Sequence, residues 1–175
     1  MTVGARRMEP EPAATLRLSL AIQRMSTADG QPNDTQLRRW ARAALADLGG
    51  SHALTLRLVD AAEGAALNEA YRRASGPTNV LSFPFETPPG MRTRLLGDVV
   101  ICTPVVEREA HEQGKAPPAH WAHMVVHGVL HLRGYDHLTD VDASAMEALE
   151  TEILGRLGYP DPYQELQEAR GKRQV

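Results

Sequence analysis

Near the N-terminus apolar and polar positions alternate. Leu16, Leu18, Leu20 and Ile22 interleave with Arg17, Ser19 and Ala21, and a period of two marks a half-buried strand. The period then lengthens. Leu37, Trp40, Ala41, Ala44, Leu45 and Leu48 recur at helical spacing, which predicts a helix over 34–48 with Asp34 as N-cap and Gly49 and Gly50 as its stop. Leu54, Leu56 and Leu58 alternate again as a second strand, followed by a helix over about 61–73 with Leu67, Ala70 and Tyr71 inward. Val80, Leu81, Ser82 and Phe83 form a short strand stopped by Pro84. Residues 86–94, with Pro88, Pro89 and Gly90, are a loop, and 96–102 form another strand.

Three helices complete the pattern. The first starts at Thr103 and Pro104 and runs to about Gln113. The second is opened by Pro117 and Pro118, since proline is harmless in a first helical turn, and is stopped by Gly134. The third follows Thr139, which with Asp142 resembles a capping box. It reaches about Leu157, with Met146, Leu149 and Ile153 toward the core. This order predicts an α+β fold: a small mixed β-sheet of about four strands packed with about five helices.

The ends differ from the middle. Residues 1–14, with Glu9, Pro10, Glu11 and Pro12, read as a disordered N-terminal extension, and 159–175 as a polar C-terminal tail. Residues 15–158 then form one domain, a size that supports its own core. The 19 basic and 22 acidic residues leave a net charge of −3, so any polyanion must be held by a local patch. Lysine occurs only at 115 and 172, so 17 of the 19 basic residues are arginine. Arginine's planar fork suits phosphate, although a GC-rich coding sequence produces the same bias. Cys102 stands alone, which rules out an internal disulfide and fits a reducing, cytoplasmic setting. Its apolar surroundings read as burial rather than nucleophilic chemistry. No apolar run approaches the roughly 20 residues that cross a bilayer. Arg17 interrupts the only apolar stretch after Arg6 and Arg7, so neither a membrane span nor a signal peptide is expected.

Histidine changes the picture. His123, His127 and His131 recur four apart along one face of the 117–133 helix. At about 1.5 Å rise per residue the outer two stand roughly 12 Å apart along the axis. One ion with bonds of about 2.1 Å cannot easily collect all three rings. Two adjacent rings can share it if a third ligand returns from beyond the helix. Gly134 provides the bend, and His137 follows. The pattern His127-x3-His131-x2-Gly134-x2-His137 therefore predicts one divalent ion on three imidazoles, with a fourth position open to water. Zinc leads on ligand chemistry, and nickel, copper or iron suit the same rings. His123 is the competing ligand. His52, His111 and His120 read as surface residues.

Metzincin peptidases share this zincin-type spacing, but they place a glutamate general base directly after the first histidine. Here that position is Gly128. A three-histidine zinc could still activate water or polarise a phosphoryl oxygen, and phosphodiester cleavage would need a cation on the phosphate. Arg72, beside Tyr71 and Arg73 at a helix end, is the candidate. Asp136, next to His137, could orient a ligand ring or accept a proton.

The segment from His127 to His137, His-Gly-Val-Leu-His-Leu-Arg-Gly-Tyr-Asp-His, resembles the signature of the bacterial YbeY family. Leu67-Asn68-Glu69-Ala70-Tyr71-Arg72, the run from Gly76 to Phe85, and the strand from Leu96 to Ile101 are similar to its other blocks, so the likeness covers about 16–157. The resemblance implies a single-strand-specific endoribonuclease in ribosomal RNA maturation, notably at the 3′ end of the small-subunit RNA, and in ribosome quality control. It implies zinc on His127, His131 and His137, a functional arginine at Arg72, and the small ribosomal subunit as partner, with no nucleotide cofactor. Two positions depart from the family's pattern: Asn79 stands where Asp is usual, removing a charge near the expected cleft, and Cys102 where a small polar residue is common. The competing reading is a ribosome-associated assembly factor with a mainly structural metal. A metallopeptidase comes third because of Gly128.

Overall fold

A computed structural model gives the fold, and the structure describes residues 15–164. The expected extension 1–14 and the tail beyond 164 lie outside the described residues. The elements are β1 (Arg17–Arg24), α1 (Asp34–Ala43), β2 (Ser51–Val59), α2 (Ala61–Arg72), β3 (Val80–Pro84), β4 (Leu95–Cys102), α3 (Thr103–Glu112), α4 (Pro117–Leu132) and α5 (Asp140–Arg156). This is the expected α+β architecture. The sheet order is β1-β2-β4-β3. β1, β2 and β4 are parallel, and β3 runs antiparallel to β4.

The alternating leucines of β1 lie half-buried along a sheet edge, while Leu54, Leu56 and Leu58 of the central β2 are fully covered. In β4, Leu96 and Val99 face the same core although they are three residues apart. A bulge resolves this: Ala53 pairs with Leu95 but Leu54 pairs with Gly97. Gly97 has φ +136°, and a Cβ there would sit 2.1 Å from the Phe83 carbonyl oxygen. Only glycine fits.

α4 is apolar nearly all round because it is enclosed. It packs on β3 and β4 on one side and meets α1, α3 and α5 on the others. That placement corrects one expectation. His120 is buried, not superficial, with Nε2 3.3 Å from Glu109 Oε1 on α3. His52 bonds the Gly49 carbonyl at 2.8 Å, and His111 is exposed.

Three other readings shift. The cap of α1 is Asn33 rather than Asp34. Its side chain accepts from Gln36 N at 2.8 Å and the Gln36 side chain accepts from Asn33 N at 3.0 Å, a full capping box. α1 ends at Ala43, yet Leu45 and Leu48 stay buried in the turns beyond it. Tyr71 is 67% exposed and Ala70 is exposed as well, because α2 buries its Gly64, Leu67 and Asn68 side rather than the side that carries Ala70 and Tyr71. Tyr71 rests edge-on against Phe83 instead.

The end of α4 is held by an ion pair invisible to local pattern. Arg133 is 1% exposed and grips Asp47 with both amino groups, at 2.8 and 2.9 Å, while also donating to the Ala44 carbonyl at 2.8 Å. Asp47 remains partly in solvent. Removing it leaves a buried guanidinium without a counter-ion, a loss on the order of 3–5 kcal/mol. Asp47→Ala should therefore show a correspondingly lower unfolding free energy in a urea titration; a change under about 0.5 kcal/mol, typical of a surface substitution, would contradict this assignment.

Candidate metal centre

Two chain segments build the site. α4 presents His127 and His131 one turn apart on the side left uncovered by the sheet. Its backbone then leaves the helix at Gly134, φ +94°, after Tyr135 N has closed on the Leu130 carbonyl at 3.1 Å. The chain turns back and brings His137 to the pair. Ring centroids lie 4.6 Å apart for His127 and His131, 5.1 Å for His131 and His137, and 5.9 Å for His127 and His137. His127 Nε2 and His131 Nε2 face each other at 3.1 Å.

The nitrogens of His127, His131 and His137 all lie within 4.8 Å of one another. A four-coordinate zinc with bonds of about 2.1 Å spaces its ligands roughly 3.4 Å apart, so small side-chain rotations close the set. The donor chemistry fits as well. Burial, reinforced by the neighbouring His127 and His137 and only partly offset by Asp136, lowers His131 to about 4. Its imidazole is therefore neutral at physiological pH and has a lone pair to offer.

A second set of ligand atoms adjoins the first and was not foreseen: His123, His127 and Glu150. Glu150 of α5 is 1% exposed. Its Oε1 lies 3.0 Å from His127 Nδ1, its Oε2 takes a short hydrogen bond from His123 Nε2, and Tyr163 OH donates to Oε2 at 2.7 Å. Burial pushes the Glu150 carboxyl up, but the hydrogen bonds and charges of His123 and His127 outweigh it and draw it down to about 2. His123, pushed down by its own burial against the pull of Glu150, points at Glu150 and does not enter the three-histidine set. The sequence carried one signal for Glu150: it occupies an apolar stripe, between Met146 and Ile153–Leu154.

Two cavities flank the triad. One, of about 410 Å³, is lined by Arg72, Asn79, His127, His137, Glu147 and Tyr163 among others. The other, of about 230 Å³, includes Arg72, Ser82, His127, His131 and Asp136. Arg72 borders both, is exposed, and has no ion-pair partner among the described residues. Arg73 takes a left-handed conformation at φ 52° that ends α2 immediately after it. Asp136 lines the smaller cavity, but its Oδ1 is engaged by the His137 backbone N–H at 2.7 Å, so it shapes the bend.

Asn79 is explained by its partner. Its Nδ2 donates to Glu109 Oε1 at 3.1 Å and its Oδ1 accepts from Val80 N at 2.7 Å. An aspartate there would set two carboxylates against each other.

Gly128 faces away from the cavities. A Cβ would meet Val99 Cγ1 at 2.4 Å and Val80 Cγ2 at 3.2 Å, and the Gly128 carbonyl accepts from Ser82 Oγ at 2.8 Å. The position where the metallopeptidase pattern needs glutamate thus has no room for one. Valine branches cannot swing aside, so Gly128→Ala should cost about 1–3 kcal/mol by overpacking, read as a lower melting temperature; an unchanged melt would show that helix and sheet can part freely.

The sequence profile of Endoribonuclease YbeY matches residues 23–158 of this chain. The fold is similar to the solution structure of TM1509 from Thermotoga maritima, with a TM-score of 0.52 and 23% sequence identity, over 85% of this chain and 93% of that one.

Proposed function

The chain belongs to the YbeY endoribonuclease family, and on that footing we propose that it is a zinc-dependent enzyme that cuts single-stranded RNA during ribosomal RNA maturation. The observation that carries the metal is the meeting of three imidazoles from two chain segments beside an open cavity. Bound by His127, His131 and His137, zinc supplies Lewis-acid polarisation of a phosphoryl oxygen and an acidified water.

The chain's own groups divide the remaining work. Arg72 holds the anionic phosphate from the rim shared by both cavities. Glu147 and Asp136 are carboxylates that line those cavities and can receive a proton. Glu150 is excluded from that role, because its two oxygens are already taken by three donors. The two cavities flanking the triad suit an unpaired strand passing across it. The proposed partner is the small ribosomal subunit, at the 3′ end of its RNA, with a role in ribosome quality control, in the cytoplasm.

The test is a cleavage assay on precursor ribosomal RNA with zinc-restored protein. Cutting of single-stranded but not duplex segments, lost on chelation and regained with zinc, is the expected result. If wild type and His131→Ala cut equally, the cutting belongs to a contaminant. The metal would then be mainly structural, in an assembly factor.

A further inference from the structure

Beyond the ligand triad, one buried cluster has a geometry that the proposed chemistry does not use. The Glu150 carboxylate is contacted by three groups that can carry hydrogen: His123 Nε2, His127 Nδ1 at 3.0 Å and Tyr163 OH at 2.7 Å. They come from two different parts of the fold, α4 and the segment after α5. That segment folds back on the body, with Tyr159 OH accepting from Trp40 Nε1 at 3.3 Å and the Pro162 carbonyl accepting from Lys115 Nζ at 3.2 Å. Tyr163 lies past residue 158, where the family match ends.

An imidazole has two ring nitrogens, and in the neutral ring one carries hydrogen while the other carries a lone pair. A carboxylate against Nδ1 selects the tautomer with hydrogen there and leaves Nε2 bare. His127 Nε2 is the atom that faces His131. We propose that Glu150 is a positioning residue that holds His127 in the metal-ready tautomer and orientation, and that Tyr163 of the C-terminal segment steadies Glu150 in turn. This rests on the reading that the three histidines take zinc, but not on what the zinc then does.

The rival assignment makes Glu150 itself a ligand, in a second ion site with His123 and His127. Two ions at once would require His127 to offer both nitrogens and lose both hydrogens. One carboxylate already accepting three hydrogen bonds needs no ion to satisfy it.

Zinc titration into the chelator-stripped full chain separates these outcomes. Wild type should take one zinc per chain. Glu150→Gln, nearly the same shape, should bind zinc about 10–100-fold more weakly while its far-UV circular dichroism is unchanged. Tyr163→Phe removes one hydrogen bond to the carboxylate but leaves that carboxylate against His127, so its loss should be smaller, about 5-fold. Nitrogen-15 spectra of the zinc-loaded wild type should show His127 Nδ1 carrying hydrogen. That spectrum decides the matter even if Glu150→Gln does not fold. Wild-type affinity in Glu150→Gln, a second zinc lost on that substitution, or a bare Nδ1 would each overturn the proposal. Absence of zinc binding by wild type would instead overturn the metal reading beneath it.

Discussion

His131→Ala is expected to abolish zinc binding and RNA cutting together. His131 sits between its two partners: its ring is 4.6 Å from that of His127 and 5.1 Å from that of His137. Without it the remaining pair is separated by 5.9 Å between centroids, and two ligands make a poor site for zinc. Zinc affinity should fall by more than the roughly 10–100-fold that loss of a hydrogen-bond partner of a ligand costs. The fold should survive, since alanine favours a helix interior and the ring is only half-buried. Metal content by mass spectrometry, alongside a cleavage time course, reads both quantities. Retained zinc with lost cutting would place the metal elsewhere.

Arg72→Ala is expected to separate binding of metal from chemistry. The guanidinium is exposed and borders both cavities beside the triad. No carboxylate among the described residues neutralises it, so its charge is available to a phosphate. Removing a preorganised charge aimed at the reacting group costs on the order of 10²–10³ in rate. Zinc content and melting temperature should stay at wild-type values, because the exposed side chain makes no hydrogen bond or ion pair among the described residues. Arg72→Lys should recover only part of the rate, since an ammonium keeps the charge but loses the two-pronged geometry. Cleavage by Arg72→Ala within twofold of wild type would remove Arg72 from the site.

The features legible in the sequence were those set by local spacing. Two histidines four apart must share a helix face, a glycine can release the chain, and a third histidine can then return. All three rings meet as that logic requires. The strand and helix order was legible for the same reason, since each period of two or 3.6 reports which side of an element is covered. Contacts between distant segments left fainter marks. Arg133 and Asp47 are far apart in the chain, and nothing around either announces the pair. Glu150 did announce itself, as a charge inside an apolar stripe, but its two histidine partners stand on another helix and its tyrosine partner in the segment beyond α5. His120 misled because an enclosed helix buries its polar face too. Tyr71 misled because an aromatic at an inward helical spacing still faces solvent where the helix covers little of the sheet. At α1 the deciding mark was Gln36, three residues after Asn33, which selects that asparagine over its neighbour Asp34 as the cap.

X-ray absorption fine structure on the zinc-loaded full chain tests the central claim most directly. Convergence of His127, His131 and His137 predicts three imidazole nitrogens at about 2.0–2.1 Å and one oxygen in the fourth position, with one imidazole fewer in His137→Ala. A first coordination sphere with a single imidazole, or one unchanged by His137→Ala, would contradict it.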